Sequence, residues 1–144
     1  MFQWSRFTFT RLKSKYSIAC LKDLGSPKQV NQSAGACKSI GGKLPLPMNS
    51  NQNYDFKNEI LRLFTIMNSP YKAFVLDLND VLNEGDFIDS FGNQPAFTNW
   101  RRGEPNDSYG EDYVTVYTRN GLWNDMGVWY YWMSNIHTIC QLIC

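Results

Sequence analysis

Trp100-Arg101-Arg102-Gly103-Glu104-Pro105-Asn106-Asp107-Ser108-Tyr109-Gly110-Glu111-Asp112, followed by Trp123-Asn124-Asp125, is the stretch on which the reading of this chain turns. It sets side-chain oxygens at three neighbouring points: Glu104 with Asn106, Glu111 with Asp112, and Asn124 with Asp125. A hard divalent cation such as calcium takes about six to eight oxygen ligands. Glu104, Asn106, Glu111, Asn124 and Asp125 can supply most of them, which leaves coordination positions for a ligand.

A sugar diol suits those positions. Each of two adjacent hydroxyls gives a lone pair to the ion, donates its proton to Glu104 or Glu111, and accepts from the carboxamide of Asn106 or Asn124. The order Glu-x-Asn fixes which side presents acceptor and which presents donor, and so which diol geometry is read. X-Pro is the linkage at which a cis peptide is readily accommodated, and a cis Glu104–Pro105 bond is expected to aim both flanking side chains at one ion.

At these residues the sequence resembles the C-type lectin domain and, within it, the mannose-binding subgroup. The resemblance covers most of the chain. It runs through Ala36-Cys37-Lys38-Ser39-Ile40-Gly41-Gly42-Lys43-Leu44, Asn79-Asp80 to Glu84-Gly85, Asn99-Trp100, Glu104-Pro105-Asn106-Asp107, Gly110-Glu111-Asp112, Gly121-Leu122-Trp123-Asn124-Asp125 and His137-Thr138-Ile139-Cys140. It implies an α+β, C-type lectin-like fold, with two helices flanking small antiparallel sheets and a long calcium-binding loop region. Residues 15–144 would form the carbohydrate-recognition domain behind an N-terminal lead at 1–14.

The resemblance further implies calcium-dependent binding of glycans with mannose-type vicinal diols, for recognition or innate defence. In that family Glu-Pro-Asn goes with mannose, fucose and N-acetylglucosamine, and Gln-Pro-Asp with galactose. Glu104, Asn106, Glu111 and Asn124 would contact the sugar, and the same four with Asp125 would hold the primary ion. An auxiliary calcium site is implied too, with Asp80, Glu84, Asp107 and Asp112 at its acidic positions and the Glu111 carbonyl alongside. Four carboxylates gathered without a cation would repel one another.

Four cysteines point to an oxidising compartment and allow three pairings. The resemblance selects Cys37 with Cys140. By the chain-entropy account a bridge closing so long a loop is worth about 4–5 kcal/mol. Cys20 and Cys144 remain, to pair with each other, the reading favoured here, or between subunits. The sequence departs from its family where a second, central disulfide should join the positions held by Tyr113 and, approximately, Val128. Both cysteines are missing together, which leaves no stray thiol, and the loops nearest the sugar site lose a staple.

Length and composition agree with one domain. At 144 residues the chain suits a single core, since about 100–200 residues per domain is usual. A formal net charge of +1 gives no case for nucleic acid or for an acidic substrate, and no apolar run approaches the roughly 20 residues that span a bilayer. Met1 to Lys15 alternates polar and aromatic residues around Trp4, Phe7 and Phe9 without a secretory apolar region. Secretion to the extracellular side is therefore inferred from the cysteines and calcium, with the signal already removed or the route unusual. Phe7 and Phe9 alternate as in a strand or an assembly segment, and a flexible lead is the other reading. Lectins of this type gain avidity by oligomerising, so a homo-oligomer is expected.

Along the chain, Lys15–Cys20 reads as a first strand. Ser26-Pro27 reads as an N-cap and first helical position of a helix reaching about Ile40, which Gly41-Gly42 would end. A second helix begins near Ser50 and carries Phe56, Ile60, Leu61, Phe64 and Met67 at helical spacing, ending at Asn68 and Pro70. Short strands are expected at Ala73–Leu78, Phe87–Asp89, Tyr113–Thr118, Leu122–Asn124 and Ile136–Ile143. Ser90 to Gly110 reads as a long, turn-rich loop of the kind that carries function.

After Asp125 the run Trp129-Tyr130-Tyr131-Trp132 lengthens the connection to the last strand. It reads as core filling around the missing disulfide, as a platform for sugar rings, or as a self-association surface. A rival function follows: a C-type lectin-like module binding a protein or surface through 129–132. His137, the lone histidine, reads as structural, since histidine-based metal or triad chemistry has nothing to build on. Asn31-Gln32-Ser33 and Asn106-Asp107-Ser108 match the glycosylation sequon, and modification of the second would block its own calcium ligand. A glycosidase acid and base pair fits poorly, because a bound cation holds carboxylates ionised whereas a general acid needs a raised pKa. The chain is read as no enzyme.

Overall fold

The computed structural model describes residues 9–13, 18–66, 72–129 and 133–143. In chain order its strands and α-helices are β1 (Phe9–Lys13), β2 (Ile18–Asp23), α1 (Ser33–Ser39), α2 (Ser50–Ile66), β3 (Ala73–Asn79), β4 (Tyr113–Tyr117), β5 (Trp123–Met126), β6 (Ile136–His137) and β7 (Ile139–Leu142). β2 lies between β1 and β7 in an antiparallel three-stranded sheet. A four-stranded sheet has the order β5-β4-β3-β6, antiparallel except for the parallel β3–β6 pair.

β3 reads Ala-Phe-Val-Leu-Asp-Leu-Asn and is buried at nearly every position, as a strand covered on both faces must be. On one side Phe74, Leu76 and Leu78 pack with Phe56, Ile60 and Phe64 of α2, with Val114, Val116 and Trp123 of β4 and β5, and with Leu21 and Ile139. On the other, Ala73 and Val75 join Val30, Cys37, Leu44, Met126, Ile136 and Cys140. The sheet alternation thus divides the core in two. The Cys37–Cys140 disulfide expected from the sequence is present in the second half, closing a sequence separation of 103. Cys20 is also disulfide-bonded, and its expected partner Cys144 lies outside the described residues.

α2 starts where the sequence places it, because Asn49 Oδ1 accepts the Gln52 N–H at 2.8 Å and caps the helix. Phe56, Ile60, Leu63 and Phe64 form its buried stripe. Asn53 lies on that stripe as well, where its Oδ1 accepts the Trp123 indole N–H at 2.8 Å and its Nδ2 donates to the Gly121 carbonyl at 3.0 Å. These two bonds lock α2 to the start of β5. α1 ends as expected: Gly41, at φ 78, donates to Lys38 O and Gly42 donates to Cys37 O, which satisfies the last carbonyls.

Several expectations need correction. α1 does not begin at Ser26-Pro27. A short 3-10 turn at Val30–Gln32 precedes a helix that starts at Ser33, because Ser26 Oγ is engaged 108 residues away with Ser134 O and Gln29 is extended. Phe87–Asp89 is no strand, only a single bridge in which Ile88 and Asn79 exchange backbone hydrogen bonds. The single last strand is two strands in different sheets, parted at Thr138, whose backbone pairs instead with Leu24 and Gly25 and whose hydroxyl meets Ser33. The first strand runs on to Asp23, and β1 adds a paired strand within the stretch read as a lead. The expected end of α2 at Asn68 and Pro70 and the residues Tyr130 to Trp132 lie outside the described residues.

Candidate functional site

The β4–β5 ladder pairs Val114 with Asp125 and Thr115 with Asn124, so Glu111 and Asp112, just before β4, lie level with the far end of β5. A third segment comes alongside. Trp123 donates to Asn99 O at 2.9 Å, Arg101 donates to Trp123 O at 2.8 Å, and a parallel bridge joins Trp100 with Trp123. Trp100 packs against Phe87 and Trp123 at ring separations of 5.1 and 5.8 Å. The chain then turns at Arg101–Glu104, closed by Glu104 N–H to Arg101 O at 2.9 Å, with Gly103 at φ 87 where a side chain would be strained. This turn delivers Glu104 to Asp125.

Carboxylate oxygens of Glu104, Glu111 and Asp125 lie within 4.8 Å of one another. Asp125 is fully buried, and its two oxygens accept the N–H groups of Asn106 at 3.1 Å and Asp107 at 2.7 Å. Asn106 Nδ2 donates to Glu104 Oε1 at 3.0 Å. The Ser108 N–H is shared by Asn106 Oδ1 and Glu111 Oε2 at 3.0 and 3.2 Å. Asn124 borders the group, its Nδ2 donating to Asp125 O at 2.7 Å. The Glu104–Pro105 peptide is cis.

Glu104 Oε2 is buried with no hydrogen-bond partner. Burial, and after it the adjacent Asp125 carboxylate, pushes the Glu104 carboxyl up to about 7. Glu111 is raised as well, by burial first and Asp125 second. Glu104 and Glu111, crowded against the buried Asp125 carboxylate, are thus harder to ionise than free carboxyls in the absence of a cation.

A second group joins Asp80, Glu84 and Asp112, again with oxygens within 4.8 Å. Asp80 is only 2% exposed. Its Oδ2 accepts the Gly85 N–H at 2.8 Å, whereas its Oδ1 is buried and unpartnered. Desolvation and then the Asp80 charge raise both Glu84 and Asp112, with Asp107 adding to each. Asp107, expected among these acids, is near enough to act on their charge but lies outside the tight group. Its Oδ1 is spent on the Glu111 N–H at 2.9 Å.

Both groups offer oxygen alone, the first with the carboxamides of Asn106 and Asn124 beside its carboxylates, and each has one buried oxygen that no donor satisfies. That donor set fits a hard divalent cation and excludes sites that need nitrogen or sulfur. Two surface hollows, of about 260 and 370 Å³, share Lys43, Leu44, Asp77 and Phe91, and none of the grouped acids lines them. His137 is buried elsewhere, with Nδ1 2.8–2.9 Å from the Asp23 carboxylate and its ring edge on Phe64, a structural position.

The sequence motif of the family described as "Lectin C-type domain" matches residues 26–134. Pulmonary surfactant-associated protein D from Bos taurus is 33% identical over 104 residues, which cover 72% of this chain and 26% of that protein. The chain thus spans about a quarter of the relative it matches. Among solved structures, the C-type lectin CEL-I from Cucumaria echinata superposes with a TM-score of 0.73 at 19% identity, covering 98% of both chains. The cow C-type carbohydrate-recognition domain of CD23, solved in the presence of a GlcNAc2Man3 oligosaccharide, gives 0.69 at 21% identity, covering 95% of this chain and 94% of that one. A calcium-independent type II antifreeze protein gives 0.68 at 13% identity, covering 93% and 90%.

Proposed function

This chain belongs to the C-type lectin domain family, and from that premise we propose that it binds glycans through a calcium-held vicinal diol of the mannose type. Members of the family are generally binding modules without enzymatic activity. The likeness of the calcium-independent antifreeze protein is one of fold alone, so calcium in this chain has to be argued from its own carboxylates. The observation that carries the reading is the buried, unpartnered Glu104 Oε2, facing Glu111 and Asp125 and bordered by the carboxamides of Asn106 and Asn124.

Bound calcium would polarise the two sugar hydroxyls and hold the facing carboxylates ionised. The side chains do the reading. Glu104 and Glu111 accept the hydroxyl protons. Asn106 and Asn124 each have two N–H donors, of which one is used internally, to Glu104 Oε1 and to Asp125 O, and the other donates to a sugar oxygen. Asp125, fixed by two backbone N–H groups, ties the Glu104–Asp107 segment to β5. Asp80, Glu84 and Asp112, with Asp107 beside them, would hold an auxiliary ion that orders the loops following β3 and preceding β4.

The Glu-Pro-Asn order at 104–106 supports a preference for mannose, fucose and N-acetylglucosamine over galactose, in a domain that acts in recognition or innate defence. The Cys37–Cys140 bridge fits a secreted, extracellular protein. No described helix is long and apolar enough to cross a membrane. Titration calorimetry with methyl α-mannoside should show saturable binding in millimolar calcium and none after chelation. Undiminished binding in chelator would remove calcium from the site, and absence of binding in both would remove the diol.

A further inference from the structure

We propose that Asn31 carries an N-linked glycan, transferred to the growing chain before the Cys37–Cys140 disulfide clamps α1 to β7. This goes beyond the diol reading and rests only on the extracellular destination stated with it.

Asn31-Gln32-Ser33 is an Asn-x-Ser sequon with no proline at its centre. Asn31 lies in the 3-10 turn Val30–Gln32, and Ser33 is the first residue of α1. Asn31 is exposed, and its side chain makes no hydrogen bond among the described residues, so substituting its amide breaks no contact of the fold. One turn on, nothing lies within 4 Å of a Cβ built on Gly35, and the hollow of about 370 Å³ opens beside Ala34 and Gly35. A bulky, hydrated oligosaccharide therefore has room on this surface.

Ser33 is the opposite case. It is fully buried, its Oγ lies 2.8 Å from Thr138 Oγ1, and its N–H donates to Val30 O. Transfer needs the asparagine amide and the hydroxyl two residues on together, whereas the fold presents the first and buries the second. The disulfide fastens that burial, because Cys37 stands one turn after Ser33 and Cys140 two residues after Thr138. Glycan addition is thus confined to the chain whose C-terminal segment has not yet closed. Synthesis at about 5–20 residues per second takes about 5–20 s to cover the separation of 105 residues from Ser33 to Thr138, and that is the window for transfer.

The step is a group transfer without redox change. The Asn31 carboxamide nitrogen forms a bond to the anomeric carbon of an oligosaccharide carried on a polyprenol diphosphate. The bond from that carbon to the diphosphate oxygen breaks, its electron pair leaves with the polyprenol diphosphate, and the amide N–H proton passes to a base of the transferase. At the second sequon the Asn106 nitrogen donates to Glu104 Oε1 and belongs to the diol site, so the two asparagines are read separately in the test.

The full chain, secreted from eukaryotic cells, is weighed intact and after peptide-N-glycosidase, and its peptides are sequenced by mass spectrometry. The unaltered protein should lose one glycan mass, with aspartate appearing at position 31. Asn31→Gln should lose none and bind methyl α-mannoside as the unaltered protein does. In a reconstituted reaction with oligosaccharyl transferase and its lipid-linked donor, unglycosylated protein from a bacterial host should take up sugar at Asn31 only after reduction and unfolding. An unmodified Asn31 in the secreted protein would overturn the site, whether or not Asn106 is modified. Equal uptake at Asn31 by the oxidised, folded protein and the reduced chain would overturn the order of events. A modified Asn31 in protein that binds no mannoside supports the glycan and sinks the diol reading alone.

Discussion

Acidification should strip calcium from this protein near neutrality, well above the ordinary carboxylate range. Burial and the neighbouring Asp125 push Glu104 from 4.5 up to about 7 in the metal-free protein, and Glu111, Glu84 and Asp112 are raised with it. Calcium needs these groups ionised, so each pH unit below Glu104's value should weaken apparent calcium affinity about tenfold. Between about pH 7 and pH 5 the loss from Glu104 alone is therefore about a hundredfold, with the other acids steepening it. Without calcium the sign reverses. A carboxyl whose folded-state value lies above its unfolded one contributes stability below about 4.5 that is lost as pH rises through about 7. Calcium titrations across this range and thermal melts in chelator measure both limbs. A calcium Kd that stays flat from about pH 8 to pH 6, or a chelated protein that melts higher at pH 8 than at pH 5, would refute the crowding of Glu104, Glu111 and Asp125.

Exchanging Glu104→Gln together with Asn106→Asp swaps acceptor and donor sides, and a glycan array should show preference moving from mannose toward galactose. Unchanged selectivity would sink the proposed diol geometry. Because Tyr113 and Val128 leave the site loops without a covalent staple, hydrogen exchange over Trp100 to Trp129 should slow sharply on adding calcium while α1 and α2 change little. Equal protection with and without calcium would assign that order to packing. Asn53→Ala leaves the buried Trp123 indole N–H unpaired and should cost about 1–3 kcal/mol in denaturant unfolding. A loss below about half a kcal/mol would show that the bond between α2 and β5 does not hold the site's scaffold.

The elements legible from the sequence were those whose signals are local. α2 announces itself by its apolar stripe, and Gly41 ends α1 in the left-handed conformation that glycine adopts cheaply. Ser26-Pro27 carried an equally good helix signal and misled, because Ser26 is satisfied by Ser134 across the fold. Ile136–Ile143 is one apolar run in sequence, and only the two-sheet topology decides that it breaks at Thr138. The site was read in the same uneven way. Carboxylates and carboxamides declare their chemistry in the sequence, and the fold brings Glu104, Glu111 and Asp125 together, and separately Asp80, Glu84 and Asp112. The backbone donors of Asn106, Asp107 and Ser108 that organise them carry no residue signature. Asp107 lies near enough to the auxiliary acids to raise Glu84 and Asp112, while its Oδ1 accepts the Glu111 N–H.

Retention on mannose-agarose decides whether the site holds a mannose-type diol through calcium. The protein should be held in calcium, be released by a chelator or by free mannose, and stay bound when galactose is applied. Elution by galactose but not by mannose, or retention that survives chelation at neutral pH, would contradict it.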